Sequence, residues 1–170
     1  MLGITRESVP EDALLRTFRG GVHPERWGRY ADCFAVRVDQ NATLAQYVFA
    51  FYTSPLFLIE CGLLRLLINA PSSRADVRAI ADGTSDKFAV WYVGQRTATQ
   101  LLMCDRYERT RSWFCVEPER GGTRLRFGSA VAAERGERTD AARRPAVFGL
   151  LLSFHLLYSQ ALLRAAKANL

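Results

Sequence analysis

The sequence predicts an α+β domain in which an antiparallel sheet is covered by a long C-terminal helix, and three stretches carry that prediction. Ala141 to Leu170 reads as one helix, apolar over most of its circumference. Phe88 to Ala133 reads as four consecutive strands, and Ala42 to Asn69 as a pair of helices that follows a first strand. A chain of 170 residues suffices for one core, and 49% hydrophobic with 24% charged residues is the balance of a folded globular protein.

Taken in order, Met1 to Arg29 is read as an N-terminal extension with one short helix, Pro10 to Phe18, whose proline and acidic residues suit a first turn. The domain proper spans 30–170. From Tyr30, Ala31, Cys33 and Ala35 alternate with Asp32, Phe34, Val36 and Val38, the pattern of a strand. Asp39, Gln40 and Asn41 supply a turn and a helix cap. Ala42 to Tyr52 has helical periodicity, and Ser54-Pro55 restarts it, with Ser54 as cap and Pro55 in the first turn. Arg74 to Ala81 forms a further short helix closed by Gly83. The strands that follow are Phe88 to Gly94, Thr97 to Asp105, Arg111 to Glu117 and Thr123 to Ala133. In the last, Leu125, Phe127, Ser129 and Val131 alternate with Arg124, Arg126, Gly128 and Ala130, which predicts one covered face and one wet face.

On the terminal helix, about 100° per residue gathers Gly149, Ser153, Gln160, Arg164 and Lys167 into a polar stripe. Phe148, Leu151, Leu152, Leu162, Leu163 and Ala166 fill the remaining arc. His155, Tyr158 and Ser159 project from that apolar arc and share one direction. His155 there is either a core group satisfied by a backbone carbonyl or a base lining a pocket. Glu60 is the second candidate, because it shares its direction with Leu56, Leu63, Leu64 and Leu67. It is either one half of an ion pair with an arginine of the sheet or a pocket carboxylate whose desolvation suits it to proton transfer.

Several function classes find no support. Phosphate loops, G-x-S-x-G and H-E-x-x-H are absent, and Cys33, Cys61, Cys104 and Cys115 lack metal-binding spacing. The net charge of +6 is almost all arginine, with Lys87 and Lys167 the only lysines, and the arginines are dispersed. High-GC coding explains that bias better than nucleic-acid binding, which requires a basic stripe. No stretch is apolar for long enough to span a bilayer, and the cytoplasm is the default location.

Strand, helix pair, antiparallel meander and long C-terminal helix is the element order of the START-like, or polyketide-cyclase-like, helix-grip (SRPBCC) superfamily. The chain resembles a bacterial member of it over Tyr30 to Asn169. The resemblance rests on that order, on Val90-Trp91-Tyr92-Val93-Gly94 to Thr110-Arg111-Ser112-Trp113-Phe114-Cys115-Val116, and on the terminal helix. It implies a curved sheet wrapped around the last helix, with a cavity between them for an apolar molecule, although about five strands are readable where the superfamily commonly has six or seven. On that reading, Trp91, Phe127, Val131, Leu151, Tyr158, Ser159 and Leu162 line the ligand site, and no cofactor is implied. One alternative is a cyclase-, dehydratase- or isomerase-type enzyme with Glu60 and His155 as acid and base. Another is an interaction protein without a pocket, forming a homodimer through its leucine-rich helix faces. Binding predicts an apolar cavity of about 300 Å³ or more, whereas an interaction protein predicts a filled interior.

Overall fold

The computed structural model describes residues 3–18, 30–59, 73–131 and 145–170, and of residues 145–154 the backbone alone. Short N-terminal elements come first: β1 (Thr5–Arg6) and α1 (Leu14–Thr17). They are followed by β2 (Tyr30–Val38), α2 (Leu44–Tyr52), α3 (Arg74–Asp82) and the strands β3 (Lys87–Phe88), β4 (Trp91–Arg96), β5 (Gln100–Asp105), β6 (Thr110–Glu119) and β7 (Gly122–Val131). The chain ends in α4 (Pro145–Ala168). All seven strands form one open, curved antiparallel sheet in the order β1-β2-β7-β6-β5-β4-β3. The α+β class and the terminal helix are as expected, and the arrangement is compatible with a helix grip.

Two strands exceed the five readable from the sequence, and both are two-residue edges. β1 pairs with β2 through Thr5 and Arg6, so part of the N-terminal segment belongs to the sheet. β3 is split from β4 by a tight turn in which Ala89 adopts φ 51. A positive φ at alanine carries no turn signature in sequence, so the run from Phe88 to Gly94 read as one strand. Within β4 the register slips between Val93 and Gln95. Gly94 sits in that bulge, where a Cβ would come within 2.9 Å of the Cys104 sulfur.

The helix boundaries follow their caps. α2 begins at Leu44 rather than Ala42, because Thr43 accepts from the Gln46 amide while the Gln46 side chain accepts from Thr43 N, a reciprocal capping box. Ser54 caps the restart at residues 55–59, its hydroxyl accepting from Phe57 N at 3.4 Å. Ser73 and Asp76 repeat the capping box at α3, which ends at left-handed Gly83 with φ 76.

The main core fills the inner face of the sheet. Phe34, Leu101, Phe114, Leu125 and Phe127 meet Tyr47, Val48 and Phe51 of α2, Ile80 of α3, and Leu162, Leu163 and Ala166 of α4. Arg164 is exposed, as its place in the polar stripe predicts, and Leu157, which falls beside that stripe, is 67% exposed.

The outer face is not simply wet, and this corrects the reading of β7. Ala13, Leu14 and Leu15 pack there on Cys33, Leu102, Cys104 and Trp113 in a second buried cluster. Gln100 anchors this lid, its Oε1 accepting from Leu14 N at 3.0 Å and from Trp113 Nε1 at 2.8 Å. Gly128 lies beneath it, with Leu15 Cδ2 only 3.1 Å from where a Cβ would stand. Beyond the lid, Arg124 and Arg126 pair with Glu7, Glu117 and Glu119, so the water-facing end of the same face carries charges in register.

Candidate functional site

Strand register assembles the site. Asp32 of β2 lies opposite Ser129 of β7, which lies opposite Ser112 of β6, so three polar residues form one row across the inner face. The neighbouring row is Phe34, Phe127 and Phe114. Side chains alternate faces along a strand, so the polar row points into the same layer as the phenylalanines. Helix α4 crosses above it and contributes His155.

Asp32 is the centre of a closed network, its side chain 0% exposed. Ser129 donates to Asp32 Oδ1 twice, from its amide at 3.1 Å and its hydroxyl at 2.8 Å. Tyr30 donates its hydroxyl to Oδ2 at 2.9 Å. His155 Nε2 lies 2.6 Å from Ser129 Oγ and 3.4 Å from Asp32 Oδ2. Burial alone would push the Asp32 carboxyl up, but hydrogen bonds from His155, Ser129 and Tyr30 outweigh it and hold the group below the usual aspartate value. The Tyr30 phenol is driven the other way, first by burial and then by its bond to Asp32.

An ionised Asp32 fixes the protons of its neighbours. A carboxylate only accepts, so the Ser129 hydroxyl proton points to Asp32, and Ser129 Oγ then accepts from His155 Nε2. The imidazole therefore carries a proton on Nε2. A hydrolytic triad needs the opposite polarity, with the serine proton directed to the imidazole, so Ser129 is a structural relay and not a nucleophile. His155 reaches solvent, with 30% of its side chain exposed, and Tyr30 is half-buried as well.

A pocket of about 170 Å³ opens beside this network. The sheet contributes Trp91, Phe127, Ser129 and the Thr110 to Ser112 segment, and α2 with the turn after it contributes Phe51, Tyr52 and Phe57. α4 closes the pocket with His155, Tyr158, Ser159 and Leu162. The aromatic rings already pack against one another at 4.9 Å between Phe51 and Phe127 and 5.6 Å between Phe57 and Trp91. The lining therefore combines aromatic rings with polar groups.

Six of the residues expected at the site from sequence, Trp91, Phe127, His155, Tyr158, Ser159 and Leu162, come together around this volume. Val131 does not join them. It is the last residue of β7, 37% exposed, and is not among the described lining. Glu60 and the Leu151 side chain lie outside the described residues. The pocket is also smaller than the expected 300 Å³, because Phe51, Phe114 and Phe127 interlock beneath it with ring centroids 4.8 to 5.4 Å apart.

Asp32 and Ser129 were the residues missed as site candidates. A signal existed, since each shares its strand face with apolar residues, Phe34 and Val36 in one case and Leu125 and Phe127 in the other. Among the described residues the cysteines offer no reactive alternative: Cys33, Cys104 and Cys115 are buried, and burial pushes the Cys33 thiol up to about 12, while Cys61 lies outside the described residues. Among the described residues no group of three histidine, cysteine or acidic side chains could hold a metal ion.

No family model, no curated protein and no solved structure matches this chain.

Proposed function

We propose that the domain binds a small, largely apolar molecule between the inner face of the sheet and the terminal helix, in the manner of START-like helix-grip domains. The observation that carries this reading is the pocket of about 170 Å³ lined by both aromatic rings and polar groups. The volume is below the 300 Å³ or more expected of a binding cavity, which confines this reading to a ligand of about one ring, the size that a void of about 150 Å³ takes. The element order and the antiparallel sheet under α4 support the family reading.

A thermal-shift screen with native mass spectrometry tests the proposal. A ligand at 100 times its Kd stabilises the native state by about 2.7 kcal/mol, a visible rise in Tm. Absence of stabilisation across lipid, aromatic and polyketide-like sets at high excess would count against binding.

A second reading, proton-transfer catalysis, is favoured by one specific feature. His155 faces the pocket with the Asp32 carboxylate behind it, an arrangement that orients an imidazole for acid–base work. In the same mass spectra, recovery of a chemically altered molecule in place of the added one would support an enzyme over a carrier.

A further inference from the structure

We infer that the pocket takes a neutral, single-ring aromatic molecule bearing one hydrogen-bonding oxygen, a ligand of the phenol class. This rests on the ligand-binding reading and sharpens it.

Size comes first. An apolar cavity of about 150 Å³ holds one benzene, so 170 Å³ accommodates one ring with one or two further heavy atoms and not a fused pair. Shape points the same way. Phe51, Phe57, Trp91 and Phe127 stand in tilted contacts, and aromatic pairs favour offset or edge-on approach at about 4.5–7 Å between centroids. One more ring extends that packing, whereas a flexible aliphatic chain loses the ring-to-ring contacts.

The polar groups set the substituent. His155, Ser129 and Ser159 also line the volume, and a ligand hydroxyl can hydrogen-bond to these polar groups, with Ser129 only accepting because its own proton goes to Asp32. A carboxylate would need a cation. Among the described residues the arginine of the lining is Arg111, and it directs its guanidinium to the outer face, where Nη1 donates to the Phe18 carbonyl at 3.1 Å and the group stacks 4.9 Å from the Phe18 ring. The charge nearest His155 is the Asp32 carboxylate, which disfavours a second anion. A neutral oxygen fits.

Titration of the full chain with p-cresol, toluene, cyclohexanol, benzoate and 2-naphthol, followed by ¹H–¹⁵N NMR, tests the inference. The expected result is p-cresol binding about tenfold more tightly than each of the others, toluene losing the hydrogen bond and naphthol the fit. Ser159→Leu, which places a side chain in the pocket from the helix, should abolish p-cresol binding, and Ser112→Leu should do so from the sheet if the first variant does not fold. Naphthol, cyclohexanol or benzoate binding as tightly as p-cresol, with blockage by either variant, overturns the phenol class and leaves the ligand pocket standing. Binding unaffected by both variants overturns the location. No binding by any probe or by the wider screen removes both readings.

Discussion

The two faces of the sheet use the same strands differently. On the inner face, polar residues sit in the middle of the layer: Asp32 and Ser129 are 2% and 4% exposed and their partners come from β2, β7 and α4. On the outer face the middle is apolar and tightly filled by Leu14 and Leu15, and the charges of Arg124, Arg126, Glu7 and Glu117 stand at the rim. Water screens the half-exposed Glu117, so its pair with Arg126 contributes little, whereas Glu7 is held between Arg124 and Arg126 with less of each side chain in water. The inner network is desolvated, so each of its bonds is obligatory. A polar group in the centre of a covered face, beside an open volume, is therefore a different object from a polar group at the edge of one.

The largest expected effect comes from breaking the inner network. Asp32→Ala strands the donors of Ser129 and Tyr30 without their acceptor and should cost several kcal/mol, about 1–3 for each buried donor left unpaired, read as a fall in the urea midpoint. The same network gives the acid dependence. The Asp32 carboxyl is lower in the folded state than its unfolded value of about 3.9, so its contribution is complete above that pH and disappears as pH falls through the folded value. Asp32→Asn should flatten this acid limb of the stability curve, and an unchanged limb would show that other carboxylates set it.

A smaller effect tests the outer lid. Leu15 is 7% exposed and lies over Gly128, so Leu15→Ala should cost about 2–3 kcal/mol by opening a cavity under α1. A cost within a few tenths of a kcal/mol would mean that the lid contributes nothing to the sheet it covers. The smallest effect belongs to the rim. Glu117 is half exposed and Arg126 keeps Glu7 when it is removed, so Glu117→Ala should change stability by less than about 1 kcal/mol, and by less again at high salt.

Local patterns in the sequence determined the elements and their facing. Period-2 alternation placed Phe34, Leu125 and Phe127 inward, the helical period buried Leu162, Leu163 and Ala166, and the same spacing turned His155, Tyr158 and Ser159 toward one volume. These follow from backbone geometry, which repeats every two or 3.6 residues and needs no distant information. What the tertiary structure decided is everything that depends on register between remote segments. Asp32 meets Ser129 and His155 only because β2 closes against β7 and α4 crosses both, contacts that no local window contains. The positive φ at Ala89, the recruitment of Thr5 and Arg6 to the sheet edge and the cover of Gly128 by Leu15 have the same origin. The pocket volume is the last of these, since it is what remains after large side chains from several elements have packed, and a difference of that kind cannot be read from any one of them.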